Sequence, residues 1–133
     1  MNELKDDLKR DEGFRAYPYE CTAGKVTIGY GRNLEDVGIS QDEAESLLTN
    51  DMNKAINDLS LFNWFNKLND NRKRAFSNMV FNLGLTRFLK FKHMLSAIER
   101  GDFTTAAYEA RNSRWYRQVG RRAERIVSLI EKG

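Results

Sequence analysis

Three side chains in the first quarter of the chain have the types that hydrolytic chemistry uses. Glu12 stands where a helical pattern stops beside Gly13, so its backbone is fixed while its carboxyl can face a cleft as a proton donor. An ordinary surface acid at a helix end has the same position. Thr27 falls on the polar side of a strand next to Gly29 and Gly31, two residues without side chains that let a ligand approach the backbone closely. Threonine is also a common strand former. Cys21, the single cysteine, lies beside a turn, where a thiol is either a small packed hydrophobe or, when ionised, a base or nucleophile. A Cys21–His93 dyad of the protease kind is disfavoured, because His93, the only imidazole, sits in Phe91-Lys92-His93-Met94 at an ordinary helix start.

A second group has the types that bind sugars. Asn78, Phe81 and Asn82 are three or four residues apart, which places an aromatic ring and two amides near one another on a helix. Amides offer both donors and acceptors to hydroxyl groups. Phe81 also suits a core, and the asparagines suit solvent. Trp115 and Tyr116 read as core packing in preference to a stacking platform. Arg121, Arg122 and Arg125 alternate with Ala123, Ile126 and Val127, so most of these cations face water. Neither a GxGxxG nor a Walker pattern is present, which argues against nucleotide chemistry.

The elements that must position these residues follow from periodicity. Leu4 and Leu8 predict a short amphipathic helix ending near Asp11, Glu12 and Gly13. Tyr17 and Tyr19 alternate, Thr22-Ala23-Gly24-Lys25 reads as a turn, and Val26, Ile28 and Tyr30 alternate against Thr27, Gly29 and Gly31, which predicts a hairpin. Ser40 and Glu43 have the spacing of a capping box. The helix they open carries Ala44, Leu47, Leu48, Met52, Ala55, Ile56 and Leu59 at helical spacing. Helical stripes continue to the end: Ala75 to Leu83 stopped by Gly84, Met94 to Ile98 stopped by Gly101, Ala106 to Ala110, and Ala123 to Ile130. The fold class is α+β. One domain, residues 1–133, is expected, with a small hairpin lobe at about 14–39, a connecting helix at about 41–59 and a helical lobe at about 70–133. A cleft between such lobes is the natural place for a ligand.

Composition sets the outer limits. At 133 residues the chain has the length of one domain. A lone cysteine excludes an internal disulfide, and one thiol with one imidazole excludes the usual zinc site; no metal or cofactor is expected. The opening residues, MNELKDDLKRDEG, place acids where a signal peptide needs an apolar core, so synthesis in the cytoplasm without membrane insertion is expected. The net charge of +3 conceals an asymmetry: residues 1–71 sum to −6 and residues 72–133 to +9. A basic half points to an anionic partner, either nucleic acid or an acidic polymer of the cell envelope.

Read in order, Asp11-Glu12-Gly13-Phe14-Arg15, Tyr17 to Tyr19, Thr27-Ile28-Gly29-Tyr30-Gly31, the Ser40 helix, Asn78-Met79-Val80-Phe81-Asn82-Leu83-Gly84, and Ser113-Arg114-Trp115-Tyr116 with Arg121-Arg122-Ala123 resemble the phage lysozymes of the T-even type, glycoside hydrolase family 24. The resemblance spans nearly the whole chain. It implies a lysozyme-like fold and an endolysin that cleaves the β-1,4 bond between N-acetylmuramic acid and N-acetylglucosamine in bacterial peptidoglycan for host cell lysis. It also implies that the enzyme acts as a monomer and reaches the wall, in the periplasm, once a holin has permeabilised the membrane.

The family's general acid matches Glu12, its water-holding Thr matches Thr27, and an Asp between them is replaced here by Cys21. Cleft residues match Asn78 and Phe81, with Asn82 and Gly31 beside the matched positions, and the Arg that pairs with the catalytic Glu matches Arg122. Met94 and Glu109 depart from two sugar-contacting positions of the family's best-known member, and the segment from Asn33 to Ser40 is shorter than in that member. The resemblance favours an inverting attack by water held by Thr27 and Cys21; a covalent route through an ionised Cys21 is the alternative mechanism. Two other functions compete with hydrolysis: a peptidoglycan-binding protein impaired in catalysis, and a nucleic-acid binder that uses the basic half.

Overall fold

The computed structural model describes residues 1–133. They form two compact units, Met1–Leu47 and Leu48–Gly133. The division falls within one helix.

The first unit opens with helix α1, Asn2–Glu12, closed by Gly13, whose φ of 71° gives the chain the sharp exit that a side-chain-bearing residue resists. The amphipathic pattern of Leu4 and Leu8 does form a helix, but α1 buries no residue. A three-stranded antiparallel sheet follows, in the order β1 (Arg15–Glu20), β2 (Val26–Gly29), β3 (Arg32–Asn33). The expected hairpin is therefore the first half of a meander, and the two-residue β3 is too short to leave a periodic trace in the sequence. Thr22-Ala23-Gly24 closes β1 to β2 as a three-residue loop: the Gly24 amide donates to Cys21 O at 2.8 Å, the Cys21 amide to Lys25 O at 2.9 Å, and Gly24 takes φ 76°. Pro18 lies where the β1–β2 register shifts, at a point where a missing N–H costs the ladder nothing.

The burial of β2 reverses the expectation. Thr27, read as the polar side of the strand, is the buried residue at 3% exposure, while Val26 and Ile28 are half-buried and Tyr30 is exposed. The reason is lateral: Thr27 sits in the middle strand with Tyr19 opposite it on β1 and Asn33 on β3, and neighbours on both sides cover it.

Helix α2, Gln41–Ser60, begins with the expected capping box: the Glu43 amide donates to Ser40 Oγ at 3.1 Å and the Ser40 amide to Glu43 Oε1 at 2.8 Å. Of the apolar stripe of α2 only Ala55 and Leu59 are buried; Leu47, Leu48 and Met52 stay exposed.

The second unit continues with α3 (Asn63–Asn66), α4 (Asp70–Leu83), α5 (Leu85–Phe88), α6 (Lys92–Glu99), α7 (Phe103–Arg111), α8 (Arg114–Val119) and α9 (Arg121–Lys132). The predicted stripes of α4, α6, α7 and α9 make its core, with Phe76, Phe88, Leu59, Met79, Met94, Ile126 and Ile130 essentially inaccessible. Each such side chain contributes about 1.5–3 kcal/mol of burial. Trp64 ties the short α3 to that core, its ring 5.6 Å from Phe76 and 6.2 Å from Phe88. Arg72 closes the far end of α9, donating from Nε to Ile130 O at 2.8 Å and from Nη2 to Glu131 O at 3.1 Å, where helix carbonyls lack partners. No helix is long and apolar enough to cross a membrane.

Candidate active site

In the first unit, α1 and the β2–β3 turn bring Glu12 and Gly31 together. Gly31 has φ 77°, and a Cβ built on it would lie 2.6 Å from Glu12 Oε2 and 2.9 Å from Cδ, so the carboxylate occupies the space that any side chain at position 31 would fill. The turn is held to the end of α1 by aromatic contacts: Phe14 and Tyr30 rings are 5.6 Å apart, and Lys9 Nζ lies 5.7 Å over the Tyr30 ring. Gly31, read from sequence as room for a ligand, is first of all room for Glu12.

Cys21 and Thr27 share a second cluster on the same sheet. The Tyr19–Thr27 and Glu20–Val26 pairings fix the register, and side chains alternate along a strand, so Cys21 and Thr27 lie on one face and Glu20 on the other. The loop amides of Lys25 and Ala23 lower the Cys21 pKa below its usual value; partial burial opposes this, and the Thr27 hydroxyl and the residue's own amide add to it. These groups favour the thiolate because each presents a hydrogen to sulfur. Thr27 Oγ1 donates to Lys25 O at 2.9 Å. A hydroxyl has one proton, so it serves either that carbonyl or a Cys21 thiolate. His93 is exposed on α6 in the second unit.

The second unit holds the predicted sugar-binding group. Leu48, Met52, Ile56 and Phe81 line a mainly apolar groove of about 420 Å³, with Asn78, Arg122, Arg74 and Ser77 at its polar margin. Phe81 is 40% exposed, so its face is available to a ligand while the α4 stripe beside it is buried. Arg122 donates to Asn78 Oδ1 from Nη2 at 2.7 Å and from Nε at 3.1 Å. Three of the predicted binding residues, Asn78, Phe81 and Arg122, therefore share one groove. Asn82 does not join them: its Oδ1 accepts from Trp115 Nε1 at 2.9 Å, and Trp115 is a core residue at 6% exposure.

Residues 9–131 match the family model described as phage lysozyme. The chain belongs to the phage lysozyme family. A probable T4-type lysozyme 2 of Dictyostelium discoideum is 34% identical over all of this chain and 96% of its own length. An endolysin of Acyrthosiphon pisum secondary endosymbiont phage 1 is 36% identical over 77% of this chain and 70% of the relative. The pre-baseplate central spike protein Gp5 of Enterobacteria phage T4 is 30% identical over 98% of this chain, which covers 28% of that larger protein. A phage lysozyme is a glycoside hydrolase, and the mostly helical chain with its small antiparallel sheet has the lysozyme-like α+β form.

Sequence reasoning missed one charged group that organises this lysozyme's first unit. Arg32 on β3 donates to Glu43 from Nη1 at 2.8 Å and from Nη2 at 2.6 Å, and from Nη1 to Gly38 O at 3.0 Å, so it fastens the Asn33–Ser40 segment and the start of α2 to the sheet. Arg32 first, with Ser40, holds the Glu43 carboxyl far below its ordinary value, at about 2. The signal available in the sequence was the capping-box Glu43 itself; nothing local marked Arg32 as its partner. No comparable group of His, Cys, Asp or Glu is gathered to hold a metal.

Proposed function

We propose that this lysozyme is an endolysin of the N-acetylmuramidase type, hydrolysing the β-1,4 bond between N-acetylmuramic acid and N-acetylglucosamine of bacterial peptidoglycan for host cell lysis. The observation that carries the reading is Glu12, laid against Gly31 at the junction of α1 and the sheet in a chain of the phage lysozyme family. Glycoside hydrolysis needs an acid at the leaving oxygen and a group that activates water on the other face of the sugar. Glu12 is the acid. Thr27 and Cys21 hold the attacking water, and the amides that favour the Cys21 thiolate raise the share of the side chain that is ionised and so free to accept a proton. Inversion at the anomeric carbon is the expected outcome; a thioglycosyl bond to Cys21 is the alternative. Asn78, Phe81 and Arg122, which share one groove, are assigned to the saccharide. The enzyme works as a monomer, is made in the host cytoplasm and meets the wall after a holin has opened the membrane. Its partner is the wall, with no nucleic acid and no cofactor.

Turbidity loss of permeabilised Gram-negative cells tests the reading. The parent clears the suspension, and Glu12→Gln reduces the rate by about 10²- to 10⁴-fold, the usual contribution of a general acid, with the fold unchanged. A variant that retains more than about a tenth of the parent rate removes Glu12 from this role. A parent that pellets with walls and releases no fragments is a binding protein.

A further inference from the structure

The sheet of the first unit is completed by a side chain. The Thr27–Asn33 and Ile28–Arg32 pairings of β2 with β3 put Val26 opposite Leu34, at a step where the two residues of an antiparallel ladder normally exchange both backbone hydrogen bonds. The first of these is made, from the Leu34 amide to Val26 O at 2.8 Å. The second is not, because the chain coils after β3: the Val37 amide donates to Asn33 O at 3.0 Å and the Gly38 amide to Leu34 O at 3.1 Å, which draws the Leu34 carbonyl out of the ladder. The Val26 amide donates to Glu35 Oε1 instead, at 2.9 Å.

The amide that Glu35 holds belongs to the same peptide unit as Lys25 O, and that oxygen joins Cys21 to Thr27. It accepts the Cys21 amide and Thr27 Oγ1, each at 2.9 Å. A peptide unit is planar, so a partner that fixes its N–H on one side fixes the direction of its C=O on the other. The amides of Lys25 and Ala23, which face the Cys21 sulfur, lie in the loop that ends at this unit. Asp36 adds a second tie, with its Oδ1 3.4 Å from Lys25 Nζ. Asn33 fixes Asp36 in turn, accepting the Asp36 amide at Oδ1 at 3.1 Å and donating from Nδ2 to Asp36 Oδ2 at 2.9 Å.

We propose that Glu35 is a positioning residue for the hydrolysis: by accepting the Val26 N–H it orients the Lys25–Val26 peptide, whose carbonyl sets where Cys21 and Thr27 stand and so where the attacking water is held. The proposal rests on the hydrolase reading above and adds a residue that acts through the backbone. Its consequence is geometric. Without Glu35 the Val26 N–H has no partner in the protein, the peptide is free to tilt, and Cys21 and Thr27 move with the oxygen they share. A misplacement of about 1 Å costs a reaction up to about 10²-fold.

The test pairs cleavage of a short soluble glycan by the full chain with the rate at which iodoacetamide alkylates Cys21 at neutral pH. Glu35→Ala is expected to lower kcat by about tenfold or more with KM unchanged, and to slow alkylation about threefold as the amides that favour the thiolate disperse. Glu35→Gln keeps an acceptor oxygen at the same reach and should restore both rates. Glu35→Asp keeps the charge but draws the oxygen back by one methylene, so it should resemble the Ala variant; it also decides the matter if Glu35→Ala does not fold. A Glu35→Ala variant with a lower thermal midpoint but kcat and alkylation at parent values would make Glu35 a strut and overturn the proposal. So would Glu35→Gln as slow as Glu35→Ala, or Glu35→Asp as fast as the parent. A parent that cleaves no glycan overturns the hydrolase reading instead, and the alkylation rates then still decide whether Glu35 sets the surroundings of Cys21.

Discussion

Glu12 lies where the side chain of residue 31 would be: the space above the Gly31 Cα is filled by the Glu12 carboxylate, 2.6 Å from an ideal Cβ position. The relationship separates two effects of substitution. Gly31→Ala must both adopt φ 77° and displace the carboxylate, whereas Gly29→Ala adopts φ 68° and meets nothing within 4 Å. Both substitutions should cost about 1–2 kcal/mol of stability, the penalty of a left-handed residue with a Cβ. Only Gly31→Ala should also lower the lytic rate, by at least about tenfold if Glu12 is the general acid. Thermal midpoints measured beside turbidity loss check this, and equal activity of the two variants refutes it.

Strand register yields a prediction about the residue that stands in for a carboxylate. Because Glu20 faces away from Thr27 and Cys21 faces with it, Glu20→Gln should be nearly silent and Cys21→Ser should impair lysis substantially. Cys21→Asp should retain or improve the rate, since a carboxylate is ionised at neutral pH. Alkylation of the thiol should inhibit the parent and spare the Asp variant. Loss of activity in Glu20→Gln with full activity in Cys21→Ser would reverse the assignment.

The Arg32–Glu43 pair predicts an acid limb in stability. The folded state holds Glu43 at about 2 against an ordinary 4.5, so unfolding takes up a proton between those values. Its contribution is fully present above about pH 4.5 and is lost as the pH falls toward about 2. Both side chains are partly exposed, at 36% and 42%, so solvent and salt reduce the effect. Urea midpoints measured from pH 6 to pH 2 should fall less steeply in Glu43→Gln than in the parent, and parallel curves would refute the linkage.

Asn82 offers a test between structural support and sugar contact. Asn82→Ala leaves the Trp115 indole N–H without its partner inside the protein, at a cost of about 1–3 kcal/mol. Asn82→Asp keeps an acceptor and should recover most of that loss. Denaturant unfolding reads this directly. A large rise in KM with unchanged stability would instead place Asn82 on the substrate.

The sequence by itself determined what depends on neighbours along the chain: the apolar stripes of α4, α6, α7 and α9, the Ser40–Glu43 cap, the Gly24 loop, and Glu12 at the point where a helix stops. Each rests on a period or a spacing of a few residues, which geometry converts directly into a face, a cap or a turn. Only the tertiary structure decided what depends on partners distant in sequence. Thr27 is buried because strands close on both sides of it, and α1 and the upper part of α2 leave apolar residues exposed although their patterns are amphipathic. Arg32 finds Glu43 eleven residues on, Asn82 finds Trp115, Arg72 caps a helix that ends 60 residues later, and Gly31 receives Glu12. Such pairings have no period. They form where a donor meets an acceptor, or a side chain an open space, and which partner lies within reach is set by how the elements pack.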